Sequence, residues 1–410
     1  MSESPVPVPV VRLDPLATDH HGEAAHLREL GPVVRAVLPG EVHAWVVTEH
    51  ALLAELVADP RVSKDWRNWT SLQRGEIPAD WPLLGMVRVT NMVTADGAQH
   101  QRLRKPVVRA FTRNRVEGMR PRIESVVEEL VADLPARAER GAVDLRPHFA
   151  HPVPMRVICE LVGVPEGWQA RLRELVDSLF RTDTTADQAR ATQRERHALL
   201  NELVELRRRE PGEDLTSALV AANAQDSDAL TDEELVDTLW LLLTAGHETT
   251  LSLIVNGVRA LLVRPEHPRP AREDADGWSR IVEEVLRWDA PIGNFLARYP
   301  SEDLEIAGVT IPRGAAILAP YSGVGRDPAQ HGDNAHEFEP SRQQNRHLAF
   351  GGGPHVCLGA HLARLEGVVA LSALFDRYPD LELAAEAAEL APVPSLFSNS
   401  AASLPVRLNR

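Results

Sequence analysis

The chain has 410 residues, 44% of them apolar, enough to bury a large core. Its net charge of −15 argues against nucleic acid as the main partner, because such proteins present a basic face, and two cysteines, Cys159 and Cys357, cannot build a disulfide scaffold. Of 44 basic residues only Lys64 and Lys105 are lysines, the arginine bias of a GC-rich genome. The N-terminus, MSESPVPVPVVRLDPL, has no basic n-region and no unbroken apolar run, so no signal peptide is expected. No stretch approaches the roughly 18 apolar residues of a membrane helix, and the cytoplasm is the expected compartment. Pro32-Val-Val-Arg-Ala-Val-Leu, then Pro-Gly, then Val42-His-Ala-Trp-Val-Val predicts a hairpin. Helical spacing runs through 114–140 and 198–209. Between them Cys159, in PMRVICELVGV, is expected as a buried small hydrophobe.

Residues 221–231 read as loop, and Thr231-Asp-Glu-Glu234 as a capping box opening a helix that continues to about Leu262. Its middle, Leu-Leu-Leu-Thr-Ala-Gly-His-Glu-Thr-Thr over 241–250, is a poor composition for a purely structural core helix and marks a functional site. Residues 264–278 read as a polar, proline-rich connection. A second β region spans 296–320, with Ile306-Ala-Gly-Val-Thr-Ile and Ala315-Ala-Ile-Leu-Ala as strands on either side of Pro312-Arg-Gly. No linker, repeat or low-complexity block divides the chain, so one domain over 1–410 is expected, mainly α with a small β portion.

Phe350-Gly-Gly-Gly-Pro-His-Val-Cys-Leu-Gly359 carries the most chemistry. Three glycines and a proline fix an irregular loop, and glycine lets backbone come close to a bulky planar group. Cys357 stands at the mouth of a helix expected over 358–374, where the helix N-terminus favours thiolate. A thiolate held by backbone N–H groups suits the axial position of a haem iron. A buried cysteine beside a tight turn is the plain alternative. Zinc on His355, Cys357 and His361 is another, although no further soft ligands cluster nearby.

This loop resembles the haem-binding signature of the cytochromes P-450, and the resemblance extends over essentially the whole chain. Ala245-Gly-His-Glu-Thr-Thr and the arginine-rich composition are similar to the soluble actinomycete members. Gly75-Glu-Ile-Pro-Ala-Asp-Trp-Pro-Leu-Leu-Gly85 is similar to the subset that oxidises steroids and macrolides. The resemblance implies a triangular helical prism around haem b, with Cys357 on the iron and Phe350 and Gly359 flanking it. It implies haem carboxylates held by His100, Arg104, Arg298 and His355. Glu284, Arg287 and Arg342 would form a structural triad on the haem side. Ala245 and Gly246, with almost no side chain, would leave room for dioxygen. Thr249, bonded back to the Ala245 carbonyl, would open a groove in the helix, and with Glu248 would deliver protons during dioxygen activation. His247 has no assigned role. Two departures stand out: Gly325 where such families often carry Asn, and His355 where Arg is common.

The implied substrate pocket draws on Met86, Met92, Leu179, Leu242, Ile292, Asn294, Phe295 and Phe397, with Phe180, Leu296, Leu396 and the stretch from Trp81 beside them. The serine-rich segment after Leu396 would turn beside the substrate. The chain has no nicotinamide or flavin module, so electrons would come from a ferredoxin and its reductase. A segment with Arg102, Arg104, Lys105, Arg109, Arg113, Arg115, Arg120 and Arg122, opposed only by Glu117, could dock that acidic partner. The implied reaction is oxidation, above all hydroxylation, of a small apolar steroid, macrolide or other secondary metabolite by dioxygen. No membrane and no nucleic acid take part. Oxidative carbon–carbon or aryl coupling, as of a cyclic dipeptide, is the alternative outcome. A haem sensor or gas carrier and a zinc hydrolase are the rival classes.

Overall fold

The computed structural model describes residues 8–409 except 82, 180–184 and 225–229. Strands are numbered in chain order: β1 (Val10–Arg12), β2 (Val33–Leu38), β3 (Val42–Val47), β4 (Val62–Ser63), β5 (Val143–Asp144), β6 (Phe295–Pro300), β7 (Leu304–Ile306), β8 (Val309–Ile311), β9 (Ile317–Ala319), β10 (Glu382–Leu383) and β11 (Pro405–Arg407). Helices of nine or more residues are α1 (His20–Leu30), α2 (His50–Ala58), α3 (Gly97–Val108), α4 (Arg120–Arg137), α5 (Pro152–Val162), α6 (Gln169–Leu179), α7 (Ala186–Arg209), α8 (Leu215–Asn223), α9 (Asp232–Leu262), α10 (Gly277–Trp288) and α11 (Ala360–Arg377). The fold is mainly α with a small β portion, as expected.

The six-stranded sheet runs β1-β2-β3-β9-β6-β4. The predicted β2–β3 hairpin pairs Val33 with Val47 through Leu38 with Val42, and the turn uses positive φ at Gly40 and Glu41. β9 joins β3 in parallel and β6 in antiparallel register, so the first hairpin and the late β region become one sheet. The segment 306–311 is not one strand: Ala307 and Gly308 take φ of 49° and 78° and fold it into the separate β7–β8 hairpin. Two residues in the left-handed region make the tight turn that suits the twist of paired strands. The 264–278 connection is likewise broken by a short helix, Pro268–Glu273. The 114–140 stretch divides into Arg113–Gly118 and α4.

α9 crosses the interior. The Thr231 hydroxyl accepts from the Glu234 N–H at 3.1 Å and the Glu234 carboxylate accepts from the Thr231 N–H at 2.9 Å, so the expected capping box forms. By length and apolar content this helix could cross a membrane, but it is buried on most sides by the protein itself. It packs on α5, α10 and α11 within the largest apolar cluster. Cys159 is fully buried there, with its sulfur 3.6 Å from that of Met155, and burial pushes its thiol up to about 12.

Candidate active site

The cysteine loop is fixed from three sides. The Cys357 N–H donates to the Phe350 carbonyl at 2.9 Å, and the Gly351 N–H donates to the Leu348 carbonyl at 2.8 Å. Gly353 takes φ +62°, and a Cβ there would stand 2.6 Å from the Val57 carbonyl, so glycine lets the loop press onto α2. Arg104 of α3 donates to the Val356 carbonyl at 2.8 Å. The Phe350 ring lies under the Arg364 guanidinium at 4.5 Å, and Arg364 and His347 both bond Glu283 of α10. The helix begins two residues later than expected, with Gly359 as its N-cap. Cys357 is reachable by water-sized space, yet burial pushes its thiol up, against the pull of the Gly359 N–H, Arg104 and Arg364. Among the described residues no three metal-binding side chains gather, at His355, Cys357 and His361 or elsewhere.

Below the loop, Arg287 donates twice to Glu284, at 2.8 and 2.6 Å, and to the carbonyls of Gly325, Ala335 and Glu337. Both side chains are fully buried. Arg342 joins loosely: its Nε is 3.8 Å from Glu284, while its Nη atoms bond His331 and Asn334. The Glu339 N–H and the Asn345 amide fill the remaining carboxylate positions.

Four expected cationic or donor residues converge beside the loop. His100 and Arg298 are 5% and 3% exposed. The His100 and His355 rings are 4.4 Å apart, and His355 approaches Asp96 at 3.6 Å. Arg298 Nη2 donates to the Tyr321 hydroxyl at 3.0 Å. Arg298 Nη1 and His100 Nε2 are buried without a hydrogen-bond partner among the described residues, a state that a buried polar atom keeps only at a cost unless a ligand fills it. Burial, then repulsion from His355 and Arg104, holds His100 down at about 4. Burial would raise the Asp96 carboxyl, but His355, Ser63 and the Lys64 N–H hold it at about 2. A set rich in buried donors with one acid fits a dianionic group such as the two haem carboxylates.

On α9 the burial pattern breaks at Ala245, which is exposed between buried Thr244 and half-buried Gly246. The Thr249 hydroxyl donates to the Ala245 carbonyl at 2.6 Å, the back-bond expected from the sequence, although the helix runs unbroken from Asp232 to Leu262. Gly246 needs a correction. A Cβ there would meet Ile158 Cδ1 at 3.0 Å, so its missing side chain serves close packing of α9 on α5. Glu248 is buried, takes a hydrogen bond from Ser398 Oγ at 2.8 Å and lies 3.4 Å from Arg146 Nη2. His247 is buried with its ring 4.2 Å from that of His151.

The pocket candidates divide between two apolar clusters. Met92 and Leu242 lie in the α9 cluster and Phe397 in the sheet cluster, with Met86 against both. Gly293 and Asn294 N–H groups donate to the Phe397 and Leu396 carbonyls at 2.6 and 3.1 Å, and Ile292 bridges to Ser398. The Phe295 and Phe397 rings meet edge-on at 6.4 Å. Trp81 is spoken for by the core, where its Nε1 donates to the Pro39 carbonyl. The side chain of Leu179 and all of Phe180 lie outside the described residues. Lys64, Tyr321 and Arg146 were not expected as partners of the site, and Ser398, in the segment expected beside the substrate, adds an unexpected bond to Glu248.

The basic segment is more balanced than its sequence. Arg102 pairs with Glu234, Arg120 with Glu117 and Glu124, and Arg122 with Glu160. Lys105, Arg109, Arg113 and Arg115 are exposed and form no ion pair among the described residues.

The family described as Cytochrome P450 matches residues 176–388. The 2-hydroxy-5-methyl-1-naphthoate 7-hydroxylase of Streptomyces carzinostaticus is 42% identical, over 97% of each chain. The 6-deoxyerythronolide B hydroxylase of Saccharopolyspora erythraea is 38% identical, over 98% of this chain and 99% of its own. Among solved structures, testerone-bound CYP154C4 from Streptomyces sp. ATCC 11861 is 44% identical, superposes with a TM-score of 0.94 and covers 98% of both chains.

Proposed function

The chain belongs to the cytochrome P450 family and is a haem-thiolate monooxygenase, and from that premise we propose that it hydroxylates a small, mostly apolar secondary metabolite of steroid, macrolide or aromatic-acid size. In this reading the whole chain, 1–410, is one cytosolic domain that takes electrons from a ferredoxin and its reductase. Bound haem supplies the activation of dioxygen and its insertion into a carbon–hydrogen bond. Cys357 is its thiolate ligand, with Phe350 and Gly359 lining the ligand loop. His100, Arg104, Arg298 and His355 hold its carboxylates. The Glu284–Arg287 pair, with Arg342 at its edge, keeps the scaffold beneath the loop rigid.

The observation that carries the reading is the centre of α9. Ala245 is exposed in a mostly buried helix, and one turn on, the half-buried Thr249 donates its hydroxyl to the Ala245 carbonyl. That bond leaves the oxygen lone pairs of Thr249 turned outward, able to accept a hydrogen bond from water and hold a proton donor in place. Glu248, steadied by Ser398 and Arg146, is the acid from which such a proton is replenished. Met86, Met92, Leu242, Ile292, Phe295 and Phe397 form the apolar wall, and Asn294 supplies a polar anchor. The relatives named above act on naphthoate and macrolide-type molecules, which supports the substrate class.

The test begins with the reduced, carbon monoxide-bound spectrum: a red-shifted thiolate-type Soret band is expected, and its loss in Cys357→Ala. A histidine-type band in the folded wild type would remove Cys357 from the iron. Turnover under labelled dioxygen should then add one labelled oxygen to the product. A product lighter by two hydrogens, with no label, would replace hydroxylation by oxidative coupling.

A further inference from the structure

Lys64 is one of the two lysines of the chain and is 4% exposed. It follows β4, whose Ser63 faces Tyr299 of β6, and so lies beside the strand that carries Arg298. Its Nζ donates to the Ala297 carbonyl at 3.0 Å and the Leu296 carbonyl at 3.5 Å, and stands 4.5 Å from the centre of the Phe295 ring. Among the described residues no carboxylate oxygen lies within 4 Å of this ammonium. Asp96, the nearby acid, is engaged by the Lys64 backbone N–H, the Ser63 hydroxyl and His355. Burial above all, then repulsion from Arg298, pushes the Lys64 ammonium down while Asp96 opposes them, and Lys64 in turn repels His355. Carbonyl oxygens and an aromatic face soften the burial of a cation but do not neutralise it. Two buried cations side by side, one with an unfilled Nη1, call for more negative charge than Asp96, shared with Ser63 and His355, supplies; a bound dianion would hold Lys64 charged.

We infer that Lys64 is a third cation of the haem-carboxylate pocket, acting on the two carboxylates by charge alongside Arg298 and thereby setting how firmly the haem is held and at what potential it is reduced. The inference rests on the assignment of Arg298 and His355 to those carboxylates. A lysine that merely plugs the sheet would need its stem and its two hydrogen bonds, not its charge.

The experiment compares wild type, Lys64→Gln and Lys64→Met, each as holoenzyme with natural haem and after reconstitution with haem dimethyl ester, whose carboxylates are uncharged. The readouts are the rate of haem transfer to excess apomyoglobin and the ferric–ferrous midpoint potential. With natural haem, both variants should lose haem at least ~30-fold faster, the scale expected when one partner of a buried charge pair is removed, and their potentials should move negative. With the ester, variant and wild type should agree within about twofold. An equal defect with both haems, or none with natural haem, overturns the inference. Lys64→Gln keeps an N–H donor, so it covers the case in which Lys64→Met does not fold. Arg298→Leu runs beside them. If it responds to esterification and Lys64 does not, Lys64 alone is misassigned. If neither responds, the carboxylate pocket itself lies elsewhere.

Discussion

Gly325 shows how little room surrounds the buried arginine. A Cβ at this position would fall 1.9 Å from the Arg287 carbonyl, while Arg287 itself holds Glu284 and three carbonyls. The departure from Asn is thus a local steric requirement of this chain. Gly325→Ala should destabilise the holoenzyme by about 2 kcal/mol, as overpacking does, measured by urea unfolding followed in the haem absorbance. Thr249→Ala should leave substrate binding intact and divert most electrons to peroxide, whereas Thr249→Ser should restore much of the coupling; peroxide released per nicotinamide cofactor consumed is the measure. Cys357 and Thr249 were legible because each sits in a dense local pattern, whereas Glu284 and Arg287, an ordinary i, i+3 pair by themselves, were legible only through the family resemblance. Lys64, Tyr321 and Arg146 were not legible. Each is a lone polar residue in an ordinary segment, brought to the site by long-range contacts such as the pairing of β4 with β6 or the reach of Arg146 to Glu248. Ser398 lies in a segment expected beside the substrate, but its bond to Glu248 was not legible.

Elements were legible where their punctuation was strong. α9 carries a reciprocal capping box, and its predicted end falls on the observed Leu262. Thr231→Ala should cost about 1 kcal/mol of unfolding free energy, read by denaturant titration, with no change in the carbon monoxide spectrum. The β2–β3 hairpin followed from Pro-Gly between alternating strands. The β7–β8 hairpin did not, because Ala307-Gly308 is a weak turn signal inside a run that otherwise alternates like a single strand. The short helix at Pro268–Glu273 was hidden by its prolines, which suit the first turn of a helix as well as a loop. The five-residue π turn Arg146–Ala150 ahead of α5 has no sequence signature; Arg146 leads it and reaches Glu248, Ser400 and the Ala401 carbonyl.

For the whole molecule, charge and acidity give two further expectations. Lys105, Arg109, Arg113 and Arg115 form an unpaired basic group on an acidic protein, next to α3, which touches the cysteine loop through Arg104. Arg113→Glu with Arg115→Glu should raise the KM for ferredoxin ~10-fold at low salt, with kcat and substrate affinity nearly unchanged and the difference shrinking in high salt. Glu366 of α11 is 1% exposed, and its Oε2 has no hydrogen-bond partner among the described residues; burial raises its carboxyl from 4.5 to about 8. In the unfolded chain it ionises near 4.5, so its contribution to stability is full below that pH and is lost as pH rises towards 8. Glu366→Gln, neutral at every pH, should therefore gain in stability over wild type on going from pH 5 to pH 8, as compared by chemical denaturation at the two values.

The turn after Leu396 has two employers. Leu396 and Phe397 offer their carbonyls to the 293–294 backbone and their side chains to the apolar cluster, while Ser398 grips Glu248 and the Asn399 amide is bonded to Asp289 and the Ala290 carbonyl. On the proposed reading, successive positions along one short segment serve recognition and then proton supply. A mutant library aimed at new substrates has room at 396 and 397 but almost none at 398 and 399. Its dead clones should cluster at the latter pair, and its altered product profiles at the former.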